Sequence, residues 1–346
     1  MGRGGASGRW IIVAALVALA VTGALLAYAA GSPSSGPPIA APPATTTPAT
    51  DDGQPGPPWP SARRGIPLGP PKLPKALYGR IFTGTKLTIT PESAAAELDA
   101  ARARSMRVFV ILVGAQRHYK KPDGTFDIDL WKALVDEFRD VDLDGFASDG
   151  TVVAHQLVSE AKARAQWGGS VISNNALDEM ARHSKELWPT MPTVLRTDPT
   201  DLEEHAAAYE TRWPGWKWTY LDAASARYLV RKGSVEVFAA SEEASAHRQQ
   251  LALVTGLNVF SGGDGSSGIP SPRPGLWAMS PDELTRYGST LLRGTTACAF
   301  EMWRYESPGS AFEDFLYFRR PEIEKAVREL AAIAAKSPSR PCRRDR

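Results

Sequence analysis

Histidine and cysteine are scarce in this chain, with five and two among 346 residues. Hydrolases that work through a metal usually gather several histidines at strand ends, and no Cys/His spacing here fits a zinc site. A metal set drawn from Asp198, Asp222, Asp264 and His155 is therefore a weak reading, and none is assigned. Charge of one sign is also lacking. The formal net charge is +2, and apart from the tail Arg340–Arg346 the basic residues are spread along the chain. That pattern gives no footprint for nucleic acid. No Gly-x-Ser-x-Gly elbow follows a strand, which removes the usual serine-hydrolase signature. A phosphate loop is missing too. The glycine-rich stretch 257–268 contains no lysine and leads into Ile269-Pro-Ser-Pro-Arg-Pro274, which cannot open a helix on the spot. Its literal Gly-x-Gly-x-x-Gly match at Gly263 to Gly268 has no helix behind it to face a pyrophosphate. The stretch reads as a long loop, and no cofactor is implied.

Long apolar runs are missing except for one. Residues 10–30 carry no charge and follow Arg3 and Arg9. About 20 apolar residues span a ~30 Å hydrocarbon core, and preceding positive charge favours a cytoplasmic N-terminus. Residues 1–30 are read as a signal anchor, with a cleaved signal peptide as the alternative because Ala27-Tyr28-Ala29 fits a small-x-small cleavage pattern. Both readings export the rest of the chain. Residues 31–75 hold half of the 28 prolines and few large apolar side chains. They are expected to form a disordered Pro/Ala/Thr-rich linker, and residues 337–346 a basic tail. Export permits a disulfide between Cys298 and Cys342; a buried thiol and a loose tail thiol are the other outcome.

Residues 76–336 alternate apolar runs with amphipathic segments. Strands are expected at 77–83, 107–113, 151–158, 193–197, 217–222, 251–260 and 296–303, with an eighth in 234–238. Helices are expected between them, several starting with a Ser, Thr or Asp cap, as at Thr90-Pro91 and Ser280-Pro281. Apolar strands separated by helices indicate a parallel sheet covered on both faces, and seven or eight units in about 260 residues match a (β/α)8 TIM-like barrel. A doubly wound open sheet is the alternative.

Active sites of such barrels lie at the C-terminal strand ends. Alternation puts Ala297, Ala299, Glu301 and Trp303 on one face, which would bring Glu301 and Trp303 to the mouth. Trp218, Tyr220 and Asp222 share a face in the 217–222 segment. Carboxylates beside aromatics and an arginine suit a sugar, whose ring faces stack on aromatics and whose hydrolysis uses two carboxyl groups. The segment His155-Gln-Leu-Val-Ser-Glu160-Ala-Lys, followed by Trp167-Gly-Gly, resembles the strand end of glycoside-hydrolase-type barrels, where an Asp-Glu-Pro triplet brings a glutamate to the mouth. Here the triplet is Ser159-Glu160-Ala161, so the glutamate is kept and both neighbours differ. Gly256-Leu-Asn258, the Gly262-Gly-Asp-Gly loop and Met302-Trp303-Arg-Tyr305 also resemble segments of exported bacterial barrels of this kind.

The resemblance implies Glu160 as proton donor and Glu301 as nucleophile or base, with Asp222 as stand-in and Arg196 holding Glu301 ionised. His155, Gln156, Trp167, Asn258, Asp264 and Trp303 are the remaining candidate substrate contacts. The expected partner is a polysaccharide or oligosaccharide, met by a monomer that is membrane-bound if the anchor stays uncleaved. A non-catalytic, tethered carbohydrate-binding barrel is the competing class.

Overall fold

A computed structural model describes residues 65–203, 217–306 and 313–344; the expected anchor and most of the linker lie outside them. Eight parallel strands run in the order β1-β8-β7-β6-β5-β4-β3-β2. They are β1 (Leu68–Gly69), β2 (Gly84–Thr88), β3 (Arg107–Ile111), β4 (Val152–Ser159), β5 (Thr193–Arg196), β6 (Ala223–Ser225), β7 (Ala252–Leu257) and β8 (Ala299–Met302). The seam between β1 and β2 is drawn together by Thr83, whose N–H donates to Leu68 O at 3.0 Å while its Oγ1 accepts from Leu68 N at 3.1 Å. Glycine is required there. A Cβ on Gly69 would stand 1.9 Å from Gly84 O. The result is the expected (β/α)8 barrel.

Among the described residues its α-helices are α1 (Pro91–Ala103), α2 (Ile128–Asp136), α3 (Leu143–Ser148), α4 (Asn174–Leu187), α5 (Val235–Arg248), α6 (Pro281–Gly294) and α7 (Pro321–Lys336). The cap signals hold at atomic level. Thr90 and Ser280 form capping boxes with Ser93 and Glu283, each followed by proline at the first helical position. Small apolar side chains fill the barrel axis, with Phe109, Ala154, Val194, Ala223, Val254 and Ala299 in one cluster. A second, larger cluster lies between strands and helices. Among the described residues, no helix is long and apolar enough to cross a membrane.

Three local expectations shift. β1 lies inside the stretch read as linker, because a two-residue strand flanked by Pro67 and Pro70 gives no alternating pattern. The barrel thus begins before residue 76. The strand expected at 217–222 is displaced to β6, whose Ala-Ala-Ser sequence carries no β-branched residue and reads as helix by propensity. The eighth strand sought in 234–238 is the first turn of α5, where Ser234 Oγ accepts from Val237 N.

The basic tail is part of the fold. Cys342 is disulfide-bonded to Cys298 and buried against the axial cluster at the N-terminal ends of the strands. The bridge closes a loop with a sequence separation of 44. Chain-entropy arguments make that worth about 4 kcal/mol. Reduction, or Cys342→Ser, is expected to lower the unfolding free energy by about 2–4 kcal/mol in a denaturant titration; an unchanged midpoint would show that the tail adds nothing to stability.

Candidate active site

Alternation along the strands decides what reaches the mouth. Glu301 follows Ala299 on the inner face of β8, and Lys86 projects inward from the middle of β2. Lys86 Nζ donates to Glu301 Oε1 at 2.7 Å, with both side chains under a tenth exposed. Burial pulls the ammonium below its usual range, Glu301 opposes that, and the nearby Arg196 charge adds to it. Arg227, two residues beyond β6, brings Nη1 to 4.0 Å from the same Oε1. Glu301 therefore faces two cations. At this point β7 and β8 are in close contact, for a Cβ on Gly256 would lie 1.9 Å from Glu301 O.

Glu160 stands at the end of β4 with its backbone in the left-handed region, φ +59°. A non-glycine residue there costs roughly 1–2 kcal/mol. Three backbone bonds hold it in place: its N–H donates to Arg196 O at 2.9 Å, and its carbonyl accepts from Ala163 N at 3.0 Å and Trp167 Nε1 at 2.8 Å. Its side chain is 46% exposed and accepts from Arg196 Nη2 at 2.7 Å. The guanidiniums of Arg196 and Arg227 lie 4.8 and 4.6 Å from the Trp303 ring centroid, so the indole orders both arginines by cation–π contact. Through Arg196 and Trp303, Glu160 and the Glu301 strand end share one mouth.

The arrangement corrects several residue roles. Arg196 pairs with Glu160, while Lys86 holds Glu301. Asp222 lies at the opposite end of the barrel. It accepts from Thr193 N at 2.9 Å and Arg344 N at 3.2 Å and pairs with Lys185 at 2.6 Å, so it joins the base instead of the mouth. Trp218 is buried there on Gln249, and no aromatic platform leads to a carboxylate. His155 points out of the barrel into the helix layer, bonded to Ser184 Oγ at 2.9 Å and stacked on Trp131. Trp167 is fully buried against Tyr119 and Phe126, and its indole N–H donates to the backbone carbonyl of Glu160. Gln156 donates to Ser159 of its own strand. Asp264 accepts from Ser266 N, and its own N–H donates to Glu283 of α6. Asp198 pairs with Lys232. The four residues weighed as metal ligands thus have separate surroundings. Asn258, at the end of β7, keeps a buried Oδ1 with no hydrogen-bond partner among the described residues.

Lys86 and Arg227 were missed. Lys86 carries a signal, as a lysine inside Gly84-Thr-Lys-Leu-Thr88 with an inward register. Arg227 was hidden by the alanine-rich segment read as helix. Clefts of about 470 to 800 Å³ open elsewhere, the largest beside Asp264 between α6 and α7.

Burial gives His155 a measurable consequence. Its imidazole is pushed down to about 3, by desolvation first and the His183 charge second. Between about pH 6.5 and 3 the unfolded chain binds a proton there and the folded chain does not, so stability falls as pH drops, by about 1.4 kcal/mol per unit. His155→Phe is expected to flatten that acid limb in denaturant titrations at stepped pH, and a limb of unchanged slope would count against a neutral His155.

No family model and no curated protein matches this chain. Solved structures do. A xylanase, Xylanase10C from Cellvibrio japonicus, superposes with a TM-score of 0.50 at 11% identity over 82% of this chain and 73% of its own. The GH113 β-mannanase AaManA from Alicyclobacillus acidocaldarius gives 0.47 at 12%, covering 79% and 99%. An endocellulase from Pyrococcus horikoshii gives 0.46 at 9%, covering 78% and 92%. At 11% identity the likeness to Xylanase10C shows the fold alone, a (β/α)8 barrel.

Proposed function

We propose that the barrel is a glycoside hydrolase acting on an extracellular or cell-envelope polysaccharide, with Glu160 as proton donor and Glu301 as nucleophile or base. The observation that carries this reading is Glu160 itself. A strained backbone held by three hydrogen bonds at a strand end, bearing a half-exposed carboxyl at the mouth that also holds the buried Glu301, fits a group positioned for proton transfer. Glu301, in a low-dielectric mouth, fits the second carboxylate that glycoside cleavage requires. Likeness to barrels named as xylanase, mannanase and endocellulase agrees with the class. A disulfide at the base suits a chain delivered to an oxidising compartment, in keeping with export by residues 1–30 and membrane attachment if that segment stays uncleaved.

A second reading is a non-catalytic glycan-binding barrel. It draws on the ion pairs, since each mouth carboxylate already has a cationic partner and Glu301 is nearly enclosed. Incubating the full chain with plant and bacterial-envelope polysaccharides separates the two. New reducing ends support hydrolysis, retention without cleavage supports the binding barrel, and the absence of both removes support for the carbohydrate assignment.

A further inference from the structure

Among the described residues, one cluster at the mouth sets the three cations Lys86, Arg196 and Arg227 against the two carboxylates Glu160 and Glu301. Within that cluster Arg227 is the cation without a carboxylate of its own. Its side chain is nine-tenths buried; among the described residues the carboxylate it is paired with, Glu301, is already bonded to Lys86, and its Nη1 has no hydrogen-bond acceptor. Arginine is always protonated, and a buried guanidinium with an idle N–H is costly unless an anion completes it. Arg196 lies over the same indole, so both forks are ordered before any ligand arrives. Asn258 adds the complementary deficit, a buried carbonyl oxygen without a donor among the described residues. A neutral sugar supplies hydroxyl donors for Asn258 but no charge for Arg227.

The geometry points to an acidic glycan as the ligand, a polymer containing hexuronic acid whose sugar carboxylate binds Arg227 and whose hydroxyl donates to Asn258. This deepens the carbohydrate reading and rests on it. A planar carboxylate matches the guanidinium fork, and its negative charge gives Arg227 the counter-ion that Glu301 supplies to Lys86.

The test titrates the full chain, at low and high salt, with trigalacturonic acid and oligomannuronate against xylotriose and mannotriose. The acidic trimers are expected to bind at least tenfold more tightly, with the preference shrinking as salt rises and falling towards one in Arg227→Met. Arg227→Lys, which keeps the charge without the fork, is expected to retain part of it, and it also serves if the methionine variant fails to fold. Equal or tighter binding of the neutral trimers to the wild type overturns the inference, as does a preference that survives Arg227→Met. Neutral glycans cleaved without acidic preference would sink this inference and leave the hydrolase standing. Acidic glycans bound but never cleaved would do the reverse.

Discussion

Replacing Glu160 with glutamine is expected to lower kcat/KM on a cleavable glycan by about 10²–10⁴-fold, the range a positioned general acid contributes. The substitution keeps the side-chain shape, and the backbone bonds to Arg196, Ala163 and Trp167 do not depend on the carboxyl group. Stability should therefore change little while turnover collapses. Glu301→Gln is expected to cost a comparable factor. The double variant should be hardly worse than either single one, because groups acting on one reaction are not additive. Reducing-sugar release measured for wild type and the three variants on one substrate decides the matter. Activity that survives both single substitutions would remove these residues from the chemistry.

The second large effect concerns folding. Lys86→Met leaves the buried Glu301 carboxylate with Arg227, 4.0 Å away, as its remaining ion-pair partner among the described residues. Breaking one side of a buried ion pair typically costs about 3–5 kcal/mol, and the remaining guanidinium argues for the lower end. Lys86→Met combined with Glu301→Gln should recover part of the loss, because the stranded charge is gone. Urea unfolding midpoints of the two variants test this. A double variant less stable than the single one would show that the pair contributes through something other than charge compensation.

How much of this could be read in advance varied by element. Long strands with unbroken apolar runs, such as β3, β4 and β7, were placed within a few residues because burial on both faces leaves a clear mark in sequence. Capped helices were equally legible at Thr90 and Ser280. Short strands were not. β1 has two residues among prolines and β6 has three small ones, and both are strands because their neighbours offer hydrogen bonds, a fact no local window contains. Losing β6 moved Asp222 from the barrel's base to its mouth, since one shifted strand inverts which end a residue occupies. Glu301 and Trp303 were found by alternation alone. Their cations were not, because Lys86 and Arg227 lie 215 and 74 positions from Glu301 and meet it only when the barrel closes.

The base of the barrel has one further consequence. Described chain enters at Gly65, whose carbonyl accepts from Arg107 at 2.5 Å while Ile66 bonds Ala334 near the end of α7. It leaves past Cys342, tied to the foot of β8. Entry and exit thus share the face opposite Glu160 and Glu301. A molecule held through the tail beside Cys342 would point its charged mouth outward, so a bead or sensor chip coupled at the carboxyl terminus should leave the mouth open to long polymers.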